Sequence, residues 1–148
     1  VTGRDEGRVA PVAAGARVIH NPQFADGLST SLRAGLAALG EKIDAAFICL
    51  ADMPLVDAAS LAKLAAAYNP VEHRSICIPV FEGKRGNPVL WGRQHFAALS
   101  ALTGDKGGRI LLPQFEDEIA DVMVADGGIL RDADTPEALA AIRSALNP

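Results

Sequence analysis

Short apolar runs alternate with segments whose apolar residues recur at helical spacing, and this alternation constrains the fold more than any other feature of the sequence. Residues 45–51 (AAFICLA) and 75–80 (SICIPV) are such runs, while Leu28, Leu32 and Leu36 recur every four residues. A continuous apolar run flanked by helices is typical of a strand buried on both faces of a parallel sheet. The chain is therefore predicted to be an α/β protein, a three-layer α/β/α sandwich with a mostly parallel, Rossmann-like sheet.

Shorter signals place the remaining elements. The segment Thr135-Pro136-Glu137 predicts a helix start, because Thr is a favoured N-cap residue and Pro fits the first helical position. Asp57 is placed to cap an earlier helix in the same way. Further strands are predicted at residues 17–20, 87–91 and 119–124, and further helices over residues 92–102 and 107–115.

The composition excludes several classes of protein. Of the 148 residues, 49% are hydrophobic and 22% are charged, which is typical of one globular domain and not of a disordered tail, a fibre or a coiled coil. No apolar run approaches the roughly 20 residues that span a bilayer. A net charge of −4 argues against a nucleic-acid partner. Cys49 and Cys77 form neither a metal pattern nor a disulfide framework, which predicts a reducing, cytoplasmic location.

Asp52 directly follows the first apolar run and is the strongest single candidate for a functional residue. Ligands of open α/β sheets bind beyond the carboxyl ends of the strands, and Pro54 turns the chain away two residues later. A carboxylate at that place suits Mg²⁺, which prefers oxygen ligands and keeps phosphate oxygens as co-ligands. The alternative is that Asp52 only caps a turn or the next helix.

The loop at residues 83–87 (GKRGN) offers two adjacent cations beside a glycine. Lys84 and Arg85 can clamp a phosphate, while Gly86 lets backbone N–H groups approach it closely. Asn87 can both donate to and accept from the edge of a base or a pterin. The alternative is an ordinary solvated hairpin turn.

A second glycine-rich segment, residues 104–109 (GDKGGR), precedes a predicted helix. Backbone N–H groups at a helix start attract phosphate, and Lys106 and Arg109 would add positive charge there. The alternative is a turn between two helices in which the glycines only supply flexibility.

Two further polar sets stand at predicted helix starts. Gly27, Ser29 and Ser31 either line a ligand or only cap the helix that they begin. Asp132 and Asp134 precede the last helix, where one can cap it and the other can reach a metal ion. The sequence shows no Ser/His/Asp or Cys/His arrangement, so nucleophilic catalysis is not supported.

Five segments together resemble the MobA-like nucleotidyltransferases, and most closely the molybdenum cofactor cytidylyltransferases of the MocA type. Each motif is weak alone, but the five occur in the family's order and cover most of the chain. They are residues 21–36 (NPQFADGLSTSLRAGL), 48–56 (ICLADMPLV), 83–93 (GKRGNPVLWGR), 102–112 (LTGDKGGRILL) and 132–139 (DADTPEAL). The resemblance implies a sheet of the nucleotide-diphospho-sugar transferase type.

The resemblance also implies where the chain stands in such a domain. Residues 1–3 resemble the family's second strand, which normally follows a first strand and a Gly-rich loop that cradles the triphosphate. Residues 1–148 are therefore expected to be a single MobA-like domain that lacks roughly its N-terminal third. If the protein really begins at Val1 and so lacks that loop, it is expected to bind CTP poorly and to turn over little or not at all.

In this family the terminal phosphate of molybdopterin attacks the α-phosphorus of CTP, and pyrophosphate leaves. By resemblance, Asp52 corresponds to the catalytic, Mg²⁺-binding Asp, and Asp134 to a second metal ligand. The segment with Gly27, Ser29 and Ser31 corresponds to the nucleotide-binding side, to which Asp52 also belongs.

The resemblance assigns the basic loops to the acceptor side. Lys84 and Arg85 are expected to act as catalytic cations at the pterin phosphate. The expected substrate-binding residues are Gly86, Asn87, Lys106 and Arg109. The implied partners are CTP, molybdopterin and a recipient molybdoenzyme, with no nucleic acid and no membrane, and the implied cofactor is Mg²⁺.

Three other functions stay open at the level of sequence. One is a non-catalytic module that binds molybdopterin or a partner protein, which the missing triphosphate loop favours. Another is a guanylyltransferase that uses GTP, since the base-selecting residues of the family lie largely before Val1. A third is an NAD(P)H-dependent oxidoreductase relative of this fold. The sequence has no GxGxxG motif after a strand, which argues against this third function.

Overall fold

A computed structural model describes residues 1–13 and 15–146 of the protein. These residues form two compact units. The first takes Val1–Asp44 and Arg93–Glu116, and the second takes Ala45–Gly92 and the chain from Asp117 onward. The chain contains both helices and strands along its length, so the predicted mixed α/β class is confirmed.

The sheet of the described chain belongs to the second unit and has five strands. They are β1 (Ala45–Ile48), β2 (Ile76–Phe81), β3 (Lys84–Arg85), β4 (Val89–Gly92) and β5 (Ile119–Met123). β4 lies between β1 and the start of β2, β3 pairs with the end of β2, and β5 pairs with the opposite side of β2. Because β2 has neighbours on both sides, its residues 76–80 are all buried, as predicted for this apolar run.

The prediction of a mostly parallel sheet is wrong. Among the strands that the structure describes, β2 and β5 are the one parallel pair, and the other three strand pairs are antiparallel. Two residues, Glu82 and Gly83, join β2 to β3, and a connection this short permits only an antiparallel return. β4 is as apolar as a parallel strand, so its composition does not reveal its direction.

The apolar run at residues 45–51 is less buried than predicted. Its strand, β1, covers Ala45–Ile48 and is half-buried throughout, and the following Cys49, Leu50 and Ala51 are exposed. Within the described part of the chain β1 pairs with β4 alone, so it lies at an end of the sheet. An end strand lacks one of the two neighbours whose side chains help to cover it.

The helix α3 (Ala58–Ala67) packs on β2 and β5 and completes the core of the second unit. Leu64 and Cys77 are 0% exposed there, and Leu90 is 4% exposed. Asp57 caps α3 as predicted, because its carboxylate accepts the backbone N–H of Ser60. That hydrogen bond holds the pKa of Asp57 below its usual value.

Burial raises the pKa of the Cys77 thiol to about 11. In the unfolded chain the thiol would ionise near its ordinary pKa of 9.0, where the folded protein still keeps the proton. The stability that depends on this group is therefore complete below about pH 9, and we expect it to be lost as the pH rises to about 11. Urea unfolding of the wild type and of Cys77→Ala at about pH 8 and about pH 10 measures this loss. The wild type should lose more stability than the variant, and an equal loss in both would contradict the prediction.

The first unit contains three α-helices in its described residues: α1 (Glu6–Val9), α2 (Leu28–Ala37) and α4 (Phe96–Ser100). α2 is the helix predicted from the leucine spacing. The Arg33 guanidinium on α2 donates to the carbonyl oxygens of Ser100 and Leu102, at 3.1 and 3.0 Å. These two bonds tie α2 to the end of α4.

Two predicted elements of the first unit differ in the structure. Residues 17–20 do not form a strand, and a single parallel bridge joins Thr2 to His20. Residues 107–115 contain a 3₁₀ helix, Gly108–Gln114, instead of an α-helix. Pro113 lies inside that helix and cannot donate a backbone hydrogen bond, which prevents a regular α-helix there.

The last helix, α5 (Pro136–Leu146), begins where the sequence predicts it. The hydroxyl of Thr135 accepts the backbone N–H of Ala138 at 3.1 Å, as an N-cap residue does. Among residues 1–13 and 15–146, none of the helices combines the length and the apolar character that crossing a membrane requires.

Candidate functional site

Asp52 lies in the loop that follows β1, and its side chain is exposed. The loop is anchored through its backbone, because the Asp52 carbonyl accepts the N–H of Ala133 at 2.8 Å. The next residue, Met53, is only 7% exposed and holds the loop to the apolar interior. The carboxylate of Asp52 therefore stands on a fixed backbone and remains open to a ligand.

The carboxyl group of Asp134 meets that of Asp52, although the two residues are far apart in the sequence. The negative charge of Asp132 raises the pKa of Asp134 above its ordinary value, and a loss of hydration and the neighbouring Asp52 carboxyl add to this rise. The backbone bond between Ala133 and Asp52 accounts for the approach, since it places the residue before Asp134 directly on the Asp52 loop.

Two neighbouring carboxyl groups suit a hard divalent cation that keeps phosphate oxygens and water as its other ligands. A cation would also offset the negative charges of Asp132 and Asp52 that help to raise the pKa of Asp134. In the part of the chain that the structure describes, no three His, Cys, Asp or Glu side chains gather into a metal-binding group. Two carboxylates by themselves leave most positions around such an ion to phosphate oxygens and water.

The two cations of the basic loop are built into strand β3, which changes their predicted roles. The guanidinium of Arg85 donates two hydrogen bonds to the carboxylate of Asp121, at 2.7 and 3.0 Å. Its charge is therefore matched within the protein. The side chain of Lys84 is exposed, so Lys84 is the more accessible to a phosphate of the two predicted cations.

Gly86 has a structural role that differs from the predicted one. Its N–H donates to the carbonyl of Pro79 at 2.8 Å, and the N–H of Asn87 donates to the carbonyl of Ile129 at 3.0 Å. These two N–H groups are used within the protein, which contradicts the expectation that they cradle a phosphate. Glycine is required at position 86 because a Cβ there would overlap the carbonyl oxygen and side chain of Ile129.

A cavity of about 230 Å³ opens beside the Asp52 loop. Its walls are mostly apolar, and Asn87 supplies their side-chain amide. The lining residues are Cys49, Leu50, Met53, Pro54, Val56, Leu61, Asn87 and Pro88. A mostly apolar cavity with Asn87 in its lining suits a flat ring whose edge carries hydrogen-bonding groups.

The predicted nucleotide-binding residues Gly27, Ser29 and Ser31 lie at the start of α2, in the first unit. Gly27 has a φ of 110°, and a Cβ on it would overlap the backbone of Gly104. The Ser31 hydroxyl accepts the side-chain amide of Asn21 at 3.0 Å. Ser29 is 1% exposed, and within the described residues its hydroxyl makes no hydrogen bond. Ser29 is therefore the member of this set whose hydroxyl the fold itself does not use.

The loop at residues 104–109 faces the start of α2. The N–H of Ser29 donates to the Gly104 carbonyl at 3.1 Å, and the N–H of Leu28 donates to the Asp105 carboxylate at 3.3 Å. The first N–H groups of α2 are therefore partly satisfied by this loop. Lys106 and Arg109 are exposed, and they precede or begin a 3₁₀ helix in place of the α-helix start that was predicted to attract phosphate.

The candidate residues thus fall into two sets, one in each unit. The first unit carries Gly27, Ser29, Ser31, Lys106 and Arg109, and the second unit carries Asp52, Lys84, Arg85, Gly86, Asn87 and Asp134. Within the second set the structure joins Asp52 to Asp134 and places Asn87 on the cavity beside their loop.

Sequence reasoning missed Asp126, which lies in the turn after β5. One carboxylate oxygen accepts the N–H of Gly128 at 2.6 Å, and the other accepts the N–H of Asp57 at 2.9 Å. An Asp followed by glycines is a signal for a turn in which the carboxylate binds the N–H two residues on, so the first bond was readable. The second bond joins residues distant in sequence and has no local signal.

Known proteins resemble this chain in sequence and in fold. A sequence model of the family described as "MobA-like NTP transferase domain" matches residues 1–119. A search of curated proteins finds no match.

Several solved structures are similar to this one. Rv0371c from Mycobacterium tuberculosis H37Rv has a TM-score of 0.77 and 23% identity, over 96% of this chain and 73% of that one. Rv0371C of the same organism in complex with manganese has a TM-score of 0.73 and 23% identity, over 95% and 74% of the two chains. A nucleotidyl transferase from Methanothermobacter has a TM-score of 0.76 and 22% identity, over 94% and 68%. At such identities the likeness shows the fold alone.

Proposed function

The chain belongs to the family of MobA-like NTP transferase domains, and we propose that it transfers CMP from CTP to molybdopterin with release of pyrophosphate. Nucleotidyl transfer is the reaction that membership of the family supports. The narrower choice of CTP and molybdopterin rests on the five ordered segments that resemble the cytidylyltransferases.

In this reaction an oxygen of the molybdopterin phosphate forms a bond to the α-phosphorus of CTP. The bond from that phosphorus to the oxygen leading to the β-phosphorus breaks, and pyrophosphate leaves with the electron pair. Such a transfer depends mainly on holding the entering and leaving oxygens in line and on neutralising their charge. The protein therefore needs anchors for phosphates and rings more than it needs a nucleophile of its own.

The approach of Asp134 to Asp52 is the observation that carries the proposal, and the bond from the Ala133 N–H to the Asp52 carbonyl at 2.8 Å holds the two residues together. Their carboxylates would hold Mg²⁺, which when bound supplies positive charge to the phosphates. The complex of Rv0371C with manganese supports a divalent ion in a protein of this fold. Asp52 is exposed on an anchored loop, so it can present its oxygens to an ion without a change of the backbone.

The cavity beside the Asp52 loop supports a ring-bearing acceptor. Asn87 would bind the edge of the pterin, because its amide both donates and accepts. Lys84 would face the phosphate of the acceptor, since its side chain is exposed. Arg85, which was expected to share this role, instead holds β3 to β5 through Asp121, and Gly86 gives Asn87 room beside Ile129.

We assign nucleotide binding to residues of the first unit. The buried hydroxyl of Ser29, which makes no hydrogen bond within the described residues, supports this role for the start of α2. The positive φ of Gly27 and the neighbouring Ser31 belong to the same segment. Lys106 and Arg109, both exposed, would add positive charge for a substrate phosphate. As a protein partner we propose a cytoplasmic molybdoenzyme that receives the product.

Pyrophosphate release with molybdopterin and each of the four ribonucleoside triphosphates tests the proposal. We expect release with CTP to exceed release with GTP by roughly tenfold or more and to require a divalent metal ion. No release with any nucleotide, together with no binding of CTP in a titration with Mg²⁺, would contradict nucleotidyl transfer by this chain. A preference for GTP would instead overturn only the choice of CTP.

A further inference from the structure

One carboxylate ties together the segments that form the candidate metal site. Asp126 is half-buried between β5 and the 3₁₀ helix Gly127–Leu130. Its Oδ1 accepts the N–H of Gly128 at 2.6 Å, and its Oδ2 accepts the N–H of Asp57 at 2.9 Å. The carboxylate therefore joins its own turn to the far end of the loop that begins at Asp52.

The loop at residues 52–57 touches the segment at residues 126–134 at three points along its length. At the start, the carbonyl of Asp52 accepts the N–H of Ala133 at 2.8 Å. In the middle, the Leu55 carbonyl lies so close to Gly128 that a Cβ on Gly128 would overlap it. At the end, the carboxylate of Asp126 accepts the N–H of Asp57. The loop cannot shift against the segment without breaking one of these contacts.

The same segment also carries the second carboxylate, Asp134, and it contacts Asn87, which lines the cavity. Asp134 lies at its end, against Asp52, and the carbonyl of Ile129 accepts the N–H of Asn87 at 3.0 Å. A shift of the segment relative to the loop would therefore change the spacing of Asp52 and Asp134 and move the backbone of Asn87.

We propose that Asp126 is a positioning residue for this site: its carboxylate locks the loop at residues 52–57 to the segment at residues 126–134 and so sets the spacing of Asp52 and Asp134. The proposal rests on the proposed function in one respect, that the pair holds a metal ion. The contacts that it invokes stand independently of that function.

Metal binding is the first test. Asp126→Asn replaces one acceptor oxygen by an amide that donates, so a single side chain can no longer accept from both N–H groups. We expect the affinity of the chain for Mn²⁺, measured by EPR titration, to fall roughly 10- to 100-fold in this variant. Asp117→Asn removes the same charge from an exposed position before β5 and should bind Mn²⁺ as the wild type does.

Asp126→Glu distinguishes an effect of the position of the carboxylate oxygens on Mn²⁺ binding from an effect of the negative charge. It keeps the negative charge and moves the oxygens by one methylene, so positioning predicts weaker Mn²⁺ binding in this variant as well. Binding equal to that of the wild type in Asp126→Glu, or in a folded Asp126→Asn, would overturn the proposal. If Asp126→Asn does not fold, Asp126→Glu alone decides.

Amide hydrogen exchange supplies a readout that does not depend on metal. In both Asp126 variants we expect faster exchange at Asp57 and Gly128, and also at Ala133, whose N–H bonds to Asp52 and not to Asp126. Unchanged exchange at Ala133 would show that Asp126 does not hold the whole loop. A wild type that binds no Mn²⁺ would overturn the metal role of Asp52 and Asp134, and the exchange at Ala133 would then decide the positioning role by itself.

Discussion

Asp52→Asn is expected to lower the metal-dependent rate of pyrophosphate release by about 100-fold or more, because it would remove a proposed ligand of the ion that would stabilise the charge of the transition state. The variant keeps the size of the side chain and replaces one carboxylate oxygen with a nitrogen that does not bind Mg²⁺. The fold should not change, since the side chain is exposed and the bond between Asp52 and Ala133 uses the backbone carbonyl.

The measurement is the rate of release as a function of Mg²⁺ concentration, with Mn²⁺ affinity by EPR as a second readout. Asp117→Asn is the matched control, because it removes one negative charge at another exposed position of the same unit. The control should match the wild type in both readouts. Metal-dependent release that survives in Asp52→Asn would mean that the metal role is assigned to the wrong residue.

Gly86→Ala is expected to lower the free energy of unfolding by about 2–3 kcal/mol, in the upper part of the range for a methyl group forced into packed structure. The new Cβ would overlap the carbonyl oxygen of Ile129 and come within 2.6 Å of its Cδ1. That carbonyl accepts the N–H of Asn87, so the backbone can relieve the overlap only by weakening this hydrogen bond. Urea unfolding with an unchanged m-value would measure the loss.

Gly7→Ala is the control for Gly86→Ala, because it adds the same methyl group where no atom lies within 4 Å. Gly7 lies inside α1, so alanine there should leave stability unchanged or raise it by roughly 0.5–1 kcal/mol. Similar changes in the two variants would show that the contact with Ile129 is not what requires glycine at position 86.

Features that depend on neighbours in the sequence were predictable. The caps of α3 and α5 follow from Asp57 and Thr135, since a cap needs only a side-chain oxygen two or three residues before an N–H group. The buried strand β2 follows from its unbroken apolar run. The position of Asp52 in a loop after a strand follows in the same way, from the apolar run before it and from Pro54 after it.

Features that depend on which segments meet were not predictable. The sequence shows Arg85 as a cation available to a phosphate, and the structure pairs it with Asp121 from another strand. It shows Gly86 as a place where a ligand can approach, and the structure fills that place with Ile129. Each prediction treated a polar or small residue as open to a ligand because its partner was distant in the chain.

The amino-acid sequence by itself determined the α/β class, the helix starts at Asp57 and Thr135, and the family to which the chain belongs, because these depend on local spacing and on ordered motifs. Only the tertiary structure decided the antiparallel place of β4, the meeting of Asp52 with Asp134 and the bond from Asp126 to Asp57. The physical reason is that these features depend on which distant segments pack together. Packing sets the direction of each strand and brings distant carboxylates and amides into contact, and side-chain type alone does not encode it.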